Sequence, residues 1–264
     1  MIFFRMSANK KIYLYGSSAY LFLCMVLLIV GPSQKAYHEN DISAPFWYFL
    51  TISGNLTPEI IIIVFLFGAV MFMNKNSGRR FVSSGLIVLV IGIASAGSGL
   101  VTSYFLKNAF HTSRPSHKIF LEDGFIPSGL DSFYMKNNLY RKSYITEHVD
   151  PKDAKLSGYY SHDVSIWMNE VGESFPSGHS LNSFLVGILF SYLLIIFLDK
   201  KYAWLAFMPL LWAVLVSLSR YFVGVHEKID IIGGAFIGLA LAFLIIRLNI
   251  IGRINSKFAL PEHK

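Results

Sequence analysis

Residues 60–73 read IIIIVFLFGAVMFM. A helix made of them has no polar face to turn toward water, so the stretch cannot form one wall of a soluble core. Working outward, six apolar runs appear near 12–31, 57–74, 81–106, 178–198, 202–223 and 230–249. Crossing a hydrocarbon core takes roughly 20 such residues per helix. The 264-residue chain is 54% hydrophobic and 15% charged, with a mean hydropathy of +0.51. The expected fold is therefore all-α: a polytopic membrane protein with six transmembrane helices and a periplasmic segment of short helices between the third and fourth. Residues 1–264 are expected to form a single membrane-embedded domain, with 116–173 as an extramembrane, lid-like insertion.

The first run follows Lys10 and Lys11 and is not followed by an A-x-A-like cleavage site, so it reads as a retained signal anchor. Cys24 is the only cysteine, which excludes an intramolecular disulfide and a thiolate metal site. The formal net charge is +7, yet no soluble basic face gathers that charge for a nucleic acid. The distribution along the chain is more informative. One set of helix ends holds Arg5, Lys10, Lys11, Lys75, Arg79, Arg80, Lys200, Lys201, Arg247, Arg253, Lys257 and Lys264 against two acidic residues, Asp199 and Glu262. The opposite set holds 11 basic and 14 acidic residues. Lys and Arg accumulate on the cytoplasmic side. Both termini are thus expected in the cytoplasm of an inner (cytoplasmic) membrane protein. Residues 32–56, 107–177 and 224–229 then face the periplasm or exterior.

Small residues crowd the third run (Gly92, Ala94, Ser95, Ala96, Gly97, Ser98, Gly99), and the sixth carries Gly234-x-x-x-Gly238. Both patterns predict close helix packing. In the long outward segment, Val164, Trp167, Met168 and Val171 share one helical face. That spacing predicts a short amphipathic helix at the membrane interface, serving as a cap or a lid.

Three charged stretches lie at the outward boundary: KNAFHTSRP (107–115), ESFPSGHS (173–180) and SRYFVGVHEKID (219–230). Lys107 and Arg114 are seven apart, which on a helix places them on one face, and Pro115 ends or bends that helix. Alone, the two read as cations snorkelling from a helix end. His226 and Asp230 are spaced i, i+4, so on a helix their side chains meet. The carboxylate would take the Nδ1 proton and leave Nε2 free, or the pair would only cap the sixth helix. Pro176-Ser177-Gly178 opens the fourth run, where first-turn N–H groups and the helix dipole attract anions. The other Pro-Ser-Gly, at 127–129, precedes no apolar run and no His, and reads as a turn. Together, Lys107, Arg114 and Arg220, a helix-start nest, His179 and an oriented His226 ask for an anion such as a phosphate monoester or pyrophosphate.

The signatures K-x-x-x-x-x-x-R-P, P-S-G-H and S-R-x-x-x-x-x-H-x-x-x-D occur here as Lys107…Arg114-Pro115, Pro176-Ser177-Gly178-His179 and Ser219-Arg220…His226…Asp230. In order and in residue type they resemble the type 2 phosphatidic acid phosphatase superfamily. The long segment before GESFPSGHS is most similar to its bacterial phosphatidylglycerophosphatase B branch. The resemblance implies a lipid phosphatase in which His226 attacks phosphorus, Asp230 orients His226, and His179 protonates the leaving oxygen. Lys107, Arg114, Ser177, Gly178 and Arg220 would bind the phosphoryl group. It implies no cofactor and no metal, a membrane phospholipid or polyprenyl phosphate as substrate, no nucleic acid and no obligate protein partner. Phosphatidylglycerol phosphate, undecaprenyl pyrophosphate, phosphatidic acid and lipid A phosphates all fit. A phosphotransferase of the same family and a lipid or anion transporter are the competing readings. His38, His111, His117, His148 and His162 are assigned surface or core roles, although His111 is near enough to Lys107 to face the site. Asn55-Leu56-Thr57 fits a glycosylation acceptor, a pattern that chance produces equally well.

Overall fold

The computed structural model describes residues 6–31, 41–73, 80–126 and 128–258. Arg5, Lys75, Arg79, Glu262 and Lys264 of the charge count, His38, and Pro127 of the second Pro-Ser-Gly lie outside the described residues. Every regular element among the described residues is a helix. Helix α1 (Ala8–Ile29) starts where the Ser7 side chain accepts the Lys10 N–H. A short apolar α2 (Ala44–Ser53) with Pro45 in its first turn follows, then α3 (Leu56–Met73) and α4 (Arg80–Val101). The chain continues from α4 through a π-helical turn (Thr102–Leu106) into α5 (Lys107–Phe110), giving one apolar helix from Phe81 to Phe110. His111 then adopts the left-handed conformation (φ 44°) and stops it. The segment that follows holds α6 (Pro115–Glu122), α7 (Leu130–Tyr134), α8 (Asn138–His148) and α9 (Ser161–Asn169). The membrane bundle resumes with α10 (Gly178–Phe197), α11 (Phe207–Phe222) and α12 (Lys228–Arg247), and α13 (Ile250–Lys257) closes the described chain.

Five helical stretches among the described residues have the length and apolarity to cross a membrane: Ala8–Ile29, Phe81–Phe110, Gly178–Phe197, Lys200–Phe222 and Lys228–Lys257. The described apolar part of α3, Ile60–Phe72, is shorter. Leu28, Phe65, Phe72, Phe81 and Phe105 are among many large apolar side chains left exposed on these helices. In water such a surface would aggregate; against lipid tails it is the expected exterior.

α10 is the hub and packs on α12, α11, α1 and α4. Its closest partner is α12, because Gly234 and Gly238 bring the backbones together. A Cβ on Gly234 would lie 2.3 Å from the Ser177 carbonyl oxygen, and one on Gly238 2.2 Å from that of Leu181. The Gly-x-x-x-Gly expectation for the sixth run is met. The third run meets the expectation in part: Ser95 and Ser98 are buried, and Ser98 Oγ donates to Asn182 Oδ1 of α10 at 2.9 Å. Gly92, Gly97 and Gly99 instead have nothing within 4 Å of an added Cβ and leave space along α4.

The segment between α5 and α10 builds its own apolar cluster from Phe120, Ile126, Phe133, Ile145, Val164 and Trp167, joined by Val223 and Val225. Val164 and Trp167 of α9 point into this cluster and Trp167 Nε1 donates to Val223 O at 2.7 Å. The apolar face predicted for α9 therefore exists, and it is turned into this cluster. Val171 lies beyond the helix, although it is buried in the same cluster. Trp167 thereby pins this layer to the 223–226 turn that carries His226.

Candidate active site

The spacing Ser219-Arg220…His226 is explained by a turn that closes on its own start. Gly224 (φ 77°) reverses the chain after α11, and the N–H groups of Val225 and His226 donate back to Arg220 O at 3.3 and 3.2 Å. His226 thus returns beside Arg220. It precedes α12 and is not on that helix, so its contact with Asp230 does not arise from helical i, i+4 geometry. Asp230 is the third residue of α12, in a capping box with Glu227: the Glu227 N–H donates to Asp230 Oδ2 at 2.8 Å. His226 Nδ1 lies 3.5 Å from Asp230 Oδ2. Between them stands Ser174, whose hydroxyl is 2.5 Å from Asp230 Oδ2 and 3.1 Å from His226 Nδ1. A carboxylate only accepts, so Ser174 gives its proton to Asp230 and accepts from His226 Nδ1–H. That fixes the tautomer and leaves the Nε2 lone pair 3.4 Å from Arg114 Nη1. His226 is 1% exposed. Desolvation, helped by Arg114 and Arg220 against the opposing pull of Asp230, pushes its pKa down to about 3. The imidazole is neutral at physiological pH.

Lys107 and Arg114 do not share a helix. The left-handed His111 and the extended Arg114 separate them, and Pro115 begins α6 instead of ending the preceding helix. Backbone pairing with the 174–175 segment returns Arg114 to the site: Ser174 N–H donates to Thr112 O at 2.8 Å and Phe175 N–H to Thr112 Oγ1 at 2.7 Å. Arg114 is buried, donating from Nε to Gly172 O (2.8 Å) and from Nη1 to Val225 O (3.2 Å) and Glu170 Oε2 (2.7 Å). Arg220 is fully buried, with Nη1 on Thr51 Oγ1 of α2 at 2.8 Å and Nη2 on Glu170 Oε1. Burial alone would raise the Glu170 carboxyl, but the Arg220 and Arg114 guanidinia outweigh it and hold it well below the usual carboxylate range. Lys107 is half-buried, and among the described residues its ammonium has no hydrogen-bond partner. Arg114, Glu170, Arg220 and Glu173 are its charged neighbours.

Ser177 is the N-cap of α10. Its N–H donates to Asp230 O at 2.9 Å, and its Oγ accepts from Ser180 N–H and Ser180 Oγ, which leaves its own hydroxyl proton available. Gly178 and His179 are the first two helical residues, whose N–H groups have no acceptor within a helix. His179 Nε2 is 2.8 Å from Asn55 Oδ1, and Arg220, Glu170, His226 and Arg114 surround it electrostatically. Asn55, which fits a glycosylation acceptor in sequence, faces His179. His111 is exposed at the helix break, and His117 is buried on Tyr134, its Nδ1 2.6 Å from the phenol oxygen.

The structure therefore brings His226, Asp230, Arg114, Arg220, Ser177, Gly178 and His179 to one layer, with Lys107 at its edge. Sequence reasoning missed Ser174, Glu170, Thr51, Asn55 and Thr112. Two of these had a local signal: Ser174 lies inside ESFPSGHS and Thr112 inside KNAFHTSRP. A cavity of about 400 Å³ opens on this layer, lined by Tyr48, Thr51, Asn55, Glu170 and Arg220 among others. A second, about 900 Å³, follows the small-residue face of α4, with Ile60, Ile63, Gly92 and Gly99 along it and Asn182 in its wall. Asn182 lies three residues past His179, about one helical turn further into the bundle.

Asp163 of α9 is fully buried, and among the described residues neither of its carboxylate oxygens has a hydrogen-bond partner. Burial, partly offset by Arg220, pushes its pKa from 3.8 up to about 8. The folded chain thus holds a proton that the unfolded chain releases at neutral pH, so this group costs stability increasingly as pH rises from about 4 toward 8. Melting curves in detergent should show Asp163→Asn gaining on wild type as pH is raised from 5 to 8. A pH-independent difference would mean an ordinary carboxyl.

The PAP2 superfamily profile matches residues 85–250. The phosphatidylglycerophosphatase B of Haemophilus influenzae is 26% identical over 229 residues, covering 84% of this chain and 88% of that protein. The Bacillus subtilis protein of the same name is 38% identical over 86 residues, 31% of this chain and 42% of its own length. An undecaprenyl-diphosphatase of Sulfolobus acidocaldarius is 35% identical over 85 residues, 31% of this chain and 37% of its own length. These last two alignments are partial, whereas the Haemophilus protein aligns nearly end to end. The profile match runs from α4 to the start of α13 and contains every residue placed above in the charged layer except the contributions of α2 and Asn55. The chain belongs to the PAP2 superfamily.

Proposed function

We propose that this protein is a membrane phosphatase that hydrolyses a lipid phosphomonoester or pyrophosphate through a phosphohistidine on His226. The observation that carries the reading is the neutral His226, its Nδ1 proton held by Ser174 and Asp230 and its Nε2 lone pair turned to Arg114. In the first step Nε2 bonds to phosphorus as the bond to the lipid oxygen breaks, and His179 gives that oxygen its proton. In the second, His179 takes a proton from water, the water oxygen bonds to phosphorus, and His226 leaves with its lone pair restored. Arg114, Arg220, Lys107, the Ser177 hydroxyl and the Gly178 N–H meet the charge that spreads over the phosphoryl oxygens. These fixed cations fill the electrostatic role of a metal, so turnover should survive EDTA.

The cavity along α4 supports a lipid substrate, because its wall is largely apolar and includes Asn182, about one turn of α10 from His179, where the leaving oxygen would lie. Phosphatidylglycerol phosphate and undecaprenyl pyrophosphate are the candidates that the relatives' names suggest. Purified protein in detergent should release inorganic phosphate from one of them without an added acceptor, and acid-labile phosphate should appear on the protein during turnover. Release only in the presence of an acceptor would make it a phosphotransferase, and transport without hydrolysis a carrier.

We also place α3 as a sixth crossing, with cytoplasmic termini and an outward-facing site. In a Cys24→Ala background, an impermeant thiol reagent on cells with a permeabilised outer membrane should label Ser132→Cys and spare Ser77→Cys. The opposite pattern would put the site in the cytoplasm.

A further inference from the structure

Glu170 belongs to none of the three signatures, yet it holds the centre of the charged layer. Its two carboxylate oxygens are taken separately: Oε2 by Arg114 and Oε1 by Arg220. The two guanidinia are buried, while the Glu170 side chain keeps 23% of its exposure. It is the residue at which α9 ends, its backbone already out of helical geometry (φ −99°, ψ 74°), and it borders the 400 Å³ cavity. A planar anion with two oxygens on two guanidinia is the arrangement that two phosphoryl oxygens would adopt.

We propose that Glu170 is a specificity-determining residue that selects doubly charged terminal phosphates over the singly charged phosphodiesters of the surrounding bilayer. The inference rests on the phosphatase reading and names what the same site admits. With no substrate bound, the carboxylate keeps the two guanidinia from repelling each other. Any anion must displace it into the adjacent cavity. A phosphodiester headgroup carries one negative charge, so replacing the carboxylate with it gains no net attraction. A phosphomonoester or pyrophosphate brings about one charge more, and a further oxygen for Lys107, whose ammonium is otherwise unengaged among the described residues. The resident carboxylate has a second effect. Being tethered, it returns at high effective concentration once the lipid product leaves, and so helps to expel inorganic phosphate.

The test compares wild type with Glu170→Gln, which keeps the shape and removes the charge. In mixed micelles, added phosphatidylglycerol should inhibit Glu170→Gln at least about tenfold more strongly than wild type. Vanadate and inorganic phosphate should also inhibit the variant more tightly, and its KM should fall with kcat unchanged or lower. Where the variant folds poorly, inorganic phosphate should raise its melting temperature by more than it raises that of wild type. A raised KM with unchanged or weaker inhibition by phosphatidylglycerol and phosphate would overturn the proposal and leave Glu170 as a bracket that positions the arginines. Equal phosphate-induced melting shifts would do the same. Failure of the underlying reading looks different: neither vanadate nor phosphate would inhibit or stabilise wild type at all.

Discussion

His226→Ala should lower turnover by at least about 10³-fold, the scale seen when a nucleophile is removed from a unit that acts together. The substrate should still bind, because the arginines, Lys107 and the start of α10 remain, so KM should change little beside kcat. Acid-labile phosphate on the protein should disappear. The geometry also grades the neighbours. Ser174 carries the contact between His226 Nδ1 and Asp230, which are 3.5 Å apart, so Ser174→Ala removes the bridge without removing the carboxylate. It should cost roughly 10²-fold, at the low end of general acid–base contributions. Asp230→Asn should cost more, because it disturbs the tautomer and also the capping box that begins α12. Near-normal turnover in His226→Ala would remove the covalent mechanism.

The second large effect is expected where no reacting group is present. Gly234→Ala and Gly238→Ala would place a Cβ 2.3 and 2.2 Å from backbone carbonyl oxygens of α10. A backbone oxygen cannot rotate aside as a side chain can, so the helices must separate. Forced overpacking typically costs about 1–3 kcal/mol, and more where the obstruction is backbone. At Gly234 the displaced residue is Ser177, whose N–H holds Asp230 O at 2.9 Å. Separating these helices moves the Ser177–Gly178–His179 start relative to Asp230 and His226. A misplacement of about 1 Å is enough to cost around 10²-fold in rate. Gly234→Ala should therefore lose both melting temperature and kcat, and Gly238→Ala, one turn further from the site, mainly melting temperature. Unchanged values for both would mean that α10 and α12 are not this close.

What the sequence disclosed depended on where charge meets an apolar run. Lys107, Arg114, His179, Arg220, His226 and Asp230 were legible because a charged residue at a membrane-length helix end is conspicuous. The geometry between them was less so. Helical spacing gave the right neighbours for His226 and Asp230 by the wrong route, since the contact comes from a turn folding back on Arg220 and a capped helix start. The same rule failed for Lys107 and Arg114, because the left-handed His111 was invisible in sequence. Glu170 and Thr51 reach Arg220 across 50 and 169 positions respectively, counted by their hydrogen bonds, and no local pattern marks them. The small residues of α4 and α12 look alike in composition. Only the neighbour decides whether such a stripe draws a helix in or leaves a groove.

The π-helical turn at Thr102–Leu106 bears on Lys107 in a further way. A π turn holds one residue more than the α-helical ladder needs, and each residue advances the helix by about 100°. Lys107 therefore leaves the bundle at an azimuth that an uninterrupted α4 would have given to a different position. The aim of this cation is set by the number of residues below it and not by their identity. Apolar substitutions within 102–106 are neutral to that aim, and a single-residue deletion that closes this turn into α-helix keeps it, whereas the same deletion within Arg80–Val101 turns Lys107 by roughly a quarter of the helix circumference, away from the arginines.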